Sequence, residues 1–365
     1  MWTQFALSVF IALLFLITKS DHKKKSVVLP IAFMIVSFFF AIRYEYGNDY
    51  WSYFRYWDSG KTDEGRGTGE YLFYGFMQLF DKYYKFVIAQ TVLFCIGVFY
   101  LVRQYMNPKY YAFFFLFFLT APTLSYNMMS AMRSTMAACV LWVAIDFFFI
   151  RRRNWLAYTA LVVVAAFFHT STLVFLLLPI LYIVIDKTSP NLLFTIMIVG
   201  VVIVNTLFAK QMYEFFLNLS PVLSDTYSGY LERDNTMAGI TIYGAINKSA
   251  LLFPFYFVCM KKDMFTDRLW RGIWALAMMI IILKCFGLDF NGRISIVLYI
   301  FVFISLSKIL PTLTTTQKII CLAPLFVYWG YNDLYLFYSS NIRYSLTEES
   351  SFLKYKTIFE ASQMP

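Results

Sequence analysis

The chain predicts an all-α, polytopic bundle of transmembrane helices, and three observations carry that expectation. Hydrophobic residues make up 60% of its 365 residues and charged residues only 14%. Mean hydropathy is +0.62, outside the range of ordinary soluble domains. The apolar residues gather into runs of about 16–20, close to the length that crosses ~30 Å of hydrocarbon as a helix, and alternate turns between runs are rich in Lys and Arg.

Taken in order, the runs predict about twelve spans, at 2–18, 26–42, 85–102, 110–125, 132–150, 154–169, 171–186, 191–209, 242–260, 269–286, 293–308 and 319–338. The first, WTQFALSVFIALLFLIT, has no basic residues before it and no small-residue cleavage site after it, so it is expected to stay as a first helix with its N-terminus outside. With the spans alternating, Lys23, Lys24 and Lys25, the turn at Arg103 and Lys109, the triplet Arg151, Arg152 and Arg153, Lys187, Lys261 and Lys262 with Arg268 and Arg271, and Lys308 with Lys318 all fall on one face. Lys and Arg mark the cytoplasmic side of short loops, which places both termini outside. The net charge of +10 is concentrated at that inner face. A basic inner face suits an anionic membrane surface, and no nucleic-acid partner is expected.

Two longer loops lie on the outer side, at about 43–84 and 210–240. The first interleaves Tyr and Trp with charges of both signs, as interfacial aromatic belts do. Residues 1–365 therefore read as a single integral membrane domain, without a soluble domain, a low-complexity tract or an internal repeat. Five scattered cysteines form no CxxC pair and are expected to be packing residues. No HExxH, GxSxG or Gly-rich phosphate loop occurs, so neither a metal nor a cofactor is expected.

The runs around Arg151 to Arg153 organise the rest. Arg133 and His169 each sit at the end of a flanking span farthest from the triplet, so both belong to the outer face. A charge in that setting is costly, and intramembrane ionisable groups are functional candidates. Arg133 opens a helix, where a cation opposes the dipole and a merely structural role is disfavoured. His169, before Thr170 and Ser171, is either a satisfied interior histidine or a general base. Arg43, Asp49, Asp289 and Arg293 join them, as does Arg233, eleven positions before Gly244. Asp289 and Arg293 could simply pair with each other, and Arg43 and Asp49 could form only an interfacial turn around Gly47. Asp146 and Asp186, on the inner face, read as ordinary helix-end charges. Several outer-face guanidinium groups point to an anionic substrate, since their planar forks suit phosphate and pyrophosphate oxygens.

The segment from Arg43 to Tyr53, RYEYGNDYWSY, resembles the R-x3-G-x-D-Y-x2-Y signature of EpsG-type and Wzy-type polysaccharide polymerases. Arg133 opening a small-residue helix, the basic turn, and Ala-Phe-Phe-His169-Thr-Ser are similar to the central block of that family. Asn291-Gly-Arg293-Ile leading to Tyr299 is similar to its later arginine-containing helix. The resemblance implies a glycosyltransferase of the inner membrane that extends O-antigen or exopolysaccharide at the outer face. It would move a growing glycan from undecaprenyl pyrophosphate onto a new lipid-linked repeat unit, with a chain-length co-polymerase as an optional partner. On that basis His169, Asp49 and Arg133 are the expected catalytic residues. Arg43, Arg293, Asp289, Arg233, Tyr50 and Tyr53 are the expected substrate-binding residues. A transporter or flippase of the same lipid-linked glycan, and a membrane acyltransferase that decorates the polymer, are the rival readings. The scarcity of Gly and Pro within the spans counts against the broken helices of a transporter.

Overall fold

The computed structural model describes residues 2–18, 22–47, 49–60, 69–120, 124–125, 127–204, 252–286, 294–327 and 356–359. These are almost entirely helical. In chain order the helices are α1 (Trp2–Ile17), α2 (His22–Ala41), α3 (Tyr50–Asp58), α4 (Tyr71–Gln78), α5 (Tyr83–Tyr105), α6 (Tyr111–Thr120), α7 (Asn127–Ser130), α8 (Met132–Val143), α9 (Trp155–Ala166), α10 (Leu178–Lys187), α11 (Pro190–Val204), α12 (252–260), α13 (Arg268–Cys285), α14 (Ser295–Ile309) and α15 (315–327). The all-α expectation holds.

Among the described residues, five continuous helical stretches are long and apolar enough to cross a bilayer: Lys24–Ala41, Tyr83–Tyr105, Met132–Arg151, Thr170–Lys187 and Ser295–Thr312. Shorter apolar helices fill in between them. The run at 154–169, expected to be one span, becomes the 12-residue α9, which is only ~18 Å long. It ends because the chain turns at Phe167 and Phe168 to release His169 into extended backbone, φ −158° and ψ 112°.

Helix α14 lies at the centre: every one of its residues except Lys308 is buried. Helix α13 packs against it and is continuously buried from Gly272 to Ile281. Around this pair, α5 packs on α2 and α8, α6 on α1, and α10 and α11 on α13. The indole of Trp142 on α8 donates to the Val297 carbonyl of α14 at 2.8 Å. A Cβ on Gly97 of α5 would stand 2.6 Å from that same Trp142 ring, so glycine is what lets α5 and α8 approach. The outward surface is apolar, with Leu16, Phe38, Leu156, Ile180 and Val184 all exposed, as lipid-facing helices require.

The triple-arginine turn has a defined construction. Helix α8 widens into a π-helical turn over Ala144–Arg151, in which the Arg152 amide donates to the Phe147 carbonyl at 3.1 Å. Arg153 then adopts a left-handed conformation, φ 48°, and the Asn154 side chain caps α9 by accepting from the Ala157 amide at 3.1 Å. One expectation fails here. Asp146 is not an ordinary helix-end charge: it is fully buried, accepts hydrogen bonds from Tyr100 at 2.8 Å and from Tyr105, and pairs with Arg151 at 3.2 Å. The wide π-turn rotates its carboxylate inward, and the two phenols and the guanidinium offset its desolvation.

The first long loop is a folded element. It contains α3 and α4, whose aromatic faces form a second core with Tyr83, Phe86, Met132 and Met136. Helix α4 is fastened to the end of α9, since the Leu72 and Phe73 amides both donate to the Phe167 carbonyl, at 3.0 and 3.4 Å. A short antiparallel pair, Arg43–Tyr44 with Lys356–Thr357, joins the loop's start to the C-terminal segment. The second long loop, at 210–240, lies outside the described residues.

Candidate functional site

Arg133 and His169 meet at the end of the bundle remote from the arginine triplet, and what joins them is Glu70. The Arg133 Nη1 donates to Glu70 Oε2 at 2.5 Å, while His169 Nδ1 lies 2.6 Å from Glu70 Oε1. The Thr170 amide adds a third bond to Glu70 Oε1 at 3.2 Å. Glu70 is 3% exposed and His169 5%, whereas the Arg133 side chain keeps 27% of its surface open. The cluster is thus closed on its carboxylate side and open on its guanidinium side.

Local sequence explains how a loop carboxylate reaches two helix ends. Gly69, at φ 73°, takes a left-handed turn that side chains other than glycine rarely adopt. Glu70 follows at the N-terminus of α4 without capping it. Its side chain instead serves the start of a segment distant in the chain, Thr170–Leu177, where a carboxylate is favoured beside unsatisfied amides. Arg133 arrives because it lies one residue into α8, after the break at Ala131.

The electrostatics follow from this contact set. Burial pushes the Glu70 carboxyl up, but the hydrogen bond from His169 and the charges of Arg133 and His169 outweigh it and hold the group below its ordinary value of 4.5. An ionised Glu70 accepts from an Nδ1 that carries the ring proton, which leaves Nε2 as the nitrogen that can exchange a proton. Tyr53 and Tyr74 stand beside Arg133. Burial raises both phenols, Tyr74 to about 12, against the lowering influence of the guanidinium, so both remain protonated donors.

The other residues singled out from sequence are placed as follows. Tyr50 and Tyr53 are buried in the aromatic core of the loop, at 2% and 4% exposure, and the Tyr83 hydroxyl donates to the Tyr50 carbonyl at 3.1 Å. Asp49 is exposed at the start of α3. Arg43 is fully buried and donates to the Phe40 carbonyl at 2.7 Å, to Thr91 Oγ1 at 2.6 Å and to Gln90 Oε1 at 3.3 Å. Arg233, Asp289 and Arg293 lie outside the described residues. Sequence reasoning missed Glu70, Gln90 and Thr91. The only signal for Glu70 was a Gly-Glu step in front of the aromatic run YLFYGFMQLF.

Apolar helices that present leucine, isoleucine and phenylalanine outward and hold a charged triad at one end define a polytopic membrane protein with a polar site near the bilayer boundary. The model of the EpsG family matches residues 26–357, nearly the whole chain, and the chain belongs to that family of membrane proteins of the polysaccharide-polymerase type. No curated protein and no solved structure matches the chain.

Proposed function

We propose that this protein polymerises lipid-linked polysaccharide repeat units, moving a growing glycan from undecaprenyl pyrophosphate to the free end of a new repeat unit at the outer face of the cytoplasmic membrane. The observation that carries the proposal is the convergence of Arg133 and His169, 36 positions apart in the numbering, on the two oxygens of one buried carboxylate. An arginine open to solvent beside an oriented imidazole pairs an anion-binding group with a base, which transfer from a pyrophosphate donor requires.

In the proposed step a hydroxyl oxygen of the acceptor sugar attacks the anomeric carbon of the donor glycan. The bond from that carbon to the pyrophosphate oxygen breaks, and the electron pair leaves with the lipid pyrophosphate. The hydroxyl proton passes to His169 Nε2. Glu70 holds the imidazole in the required tautomer and stabilises the imidazolium that forms, as an orienting carboxylate does. Arg133, with the donors Tyr53 and Tyr74 beside it, stabilises charge on the departing pyrophosphate. Asp49, exposed near Tyr53, is assigned to the substrate surface, and Arg233, Asp289 and Arg293 are proposed to bind substrate. Arg43 and Tyr50 act from beneath it by holding the loop in shape.

The test is chain length. Purified protein in vesicles, given lipid-linked repeat units, is expected to build a ladder, and Arg133→Ala and His169→Ala are expected to leave single repeats while reaching the membrane at normal levels. Ladders of normal length from both variants would remove the site. Glycan moved across the bilayer without any lengthening would identify a flippase instead.

A further inference from the structure

At the opposite end of the bundle, a shallow surface crevice, open to solvent, lies between the arginine turn and the start of α13. Its floor is Phe149, Ile150 and Gly272, its sides are Trp155 and Tyr182, and its rim carries Arg153 and Arg268. We infer that this crevice seats the phosphate of an anionic phospholipid from the adjoining leaflet.

Several independent features favour that occupant. The lining holds two guanidinium groups and no carboxylate. The nearby acids are committed elsewhere: Asp267 accepts from the Trp270 amide at 2.9 Å, Asp186 pairs with Arg271 at 3.4 Å, and Asp146 is buried under Arg151. Arg153 is held in place. Its left-handed backbone, φ 48°, is a conformation costly for a side-chain-bearing residue. Its guanidinium lies 5.5 Å from the centre of the Tyr182 ring and donates to that residue's hydroxyl at 3.1 Å. Arg268 is exposed at the first position of α13.

The position fits a lipid rather than a soluble anion. Helix α9 begins here, α10 ends here and α13 begins here, so the crevice lies at the level where apolar helices meet water. Trp155, at 41% exposure, offers an amphipathic ring at that level, as interfacial aromatics do. Leu156, the next residue, is 83% exposed and offers apolar surface beside which acyl chains would lie. The forked guanidinium groups of Arg153 and Arg268 suit a phosphodiester lying across the surface between them.

The test is retention of lipid by the full-length protein. Protein purified in mild detergent from vesicles of equal phosphatidylglycerol and phosphatidylcholine is expected to keep phosphatidylglycerol preferentially, measured by native mass spectrometry. Arg153→Gly suits the left-handed backbone and removes the charge, and Arg268→Gln neutralises the other side. Each is expected to lower retention by about fivefold, the loss of one direct charge-assisted contact to the phosphate. Arg103→Gln, at an exposed arginine that faces Phe99 on α5, is the control and is expected to change nothing. The inference is overturned if the control loses as much lipid as the crevice variants, if phosphatidylcholine is retained equally, or if millimolar inorganic phosphate displaces the lipid as readily as added phosphatidylglycerol does. Elution and melting behaviour of the variants matching the parent protein would show that lost lipid is not lost fold. Chain-length ladders read the triad at the other end and are independent of this result.

Discussion

Glu70 shows what one buried carboxylate can do when two cations share it. Replacing it with Gln keeps its shape but removes the charge that pairs with Arg133 and fixes the His169 tautomer. Glu70→Gln is expected to slow repeat-unit transfer by ~10²-fold or more, the usual contribution of a positioned base and its orienting partner. Removing one member of a desolvated pair should also cost about 3 kcal/mol of stability, measurable as a lower melting temperature in detergent. The sign of the pH dependence follows from the depressed carboxyl. Its contribution to stability is complete above 4.5 and is lost as pH falls through the lower value it has in the folded chain. The parent protein should therefore lose more stability than Glu70→Gln on acidification below 4.5, and parallel melting curves would show that another group is responsible. Arg133 and His169 were legible in the sequence because a charge or an imidazole stands out against an apolar run. Glu70 was not, because the loop that holds it also contains Glu45, Asp49, Asp58, Asp63, Glu64 and Asp81. Among so many carboxylates, only tertiary folding selects one.

At the scale of elements, the first outer loop is the part that sequence described least well and that matters most for the site. Its mixture of rings and charges reads as an interfacial belt, yet α3 and α4 build their own aromatic core and clamp it to α9 through Phe167. Segments of nine and eight residues are too short for periodicity alone to fix a helix, and the loop's structure comes from contacts with distant helices. Gly47 is where that structure is most constrained. It sits at φ 127°, and a Cβ there would lie 2.7 Å from the Met129 carbonyl oxygen. Gly47→Ala is expected to lose about 1–3 kcal/mol from backbone strain alone, and more from the clash, because the obstructing atom is backbone. The expected readout is a fall in melting temperature and in ladder length together. Arg43, at the head of the same turn, should affect folding rather than transfer. Arg43→Ala leaves the Phe40 carbonyl, Gln90 and Thr91 short of a charged donor, so it should reduce the yield of folded protein, with any surviving protein making ladders of near-normal length. A short ladder from fully stable Arg43→Ala protein would give that arginine a direct part in substrate binding.

The whole molecule is polarised, and that polarity decides whether the triad can do the proposed chemistry. The stretch Met132–Arg151 is a continuous helix of 20 residues, and such a helix is ~30 Å long, the thickness of a hydrocarbon core. Arg133 at one end and the arginine triplet at the other must then lie at opposite boundaries. Alternation of basic turns made this arrangement legible from sequence alone, because the free energy of placing Lys and Arg is a property of the whole chain in a membrane rather than of any one contact. The count of spans was less legible, since α9 shows that an apolar run can stop at 12 residues where a site needs a turn. Orientation is testable with single added thiols. The native cysteines are buried or partly buried and should give little background, while Ser59, at the end of α3 in the loop that carries Glu70, and Arg152, in the arginine turn, are both exposed. Ser59→Cys is expected to react with a membrane-impermeant maleimide on intact cells, and Arg152→Cys only after the cytoplasmic side is opened. Reaction of both from the same side would place the triad and the basic turn on one face, and reversed labelling would put the triad in the cytoplasm. With the triad in the cytoplasm, the outward-facing lipid pyrophosphate would be out of reach of Arg133.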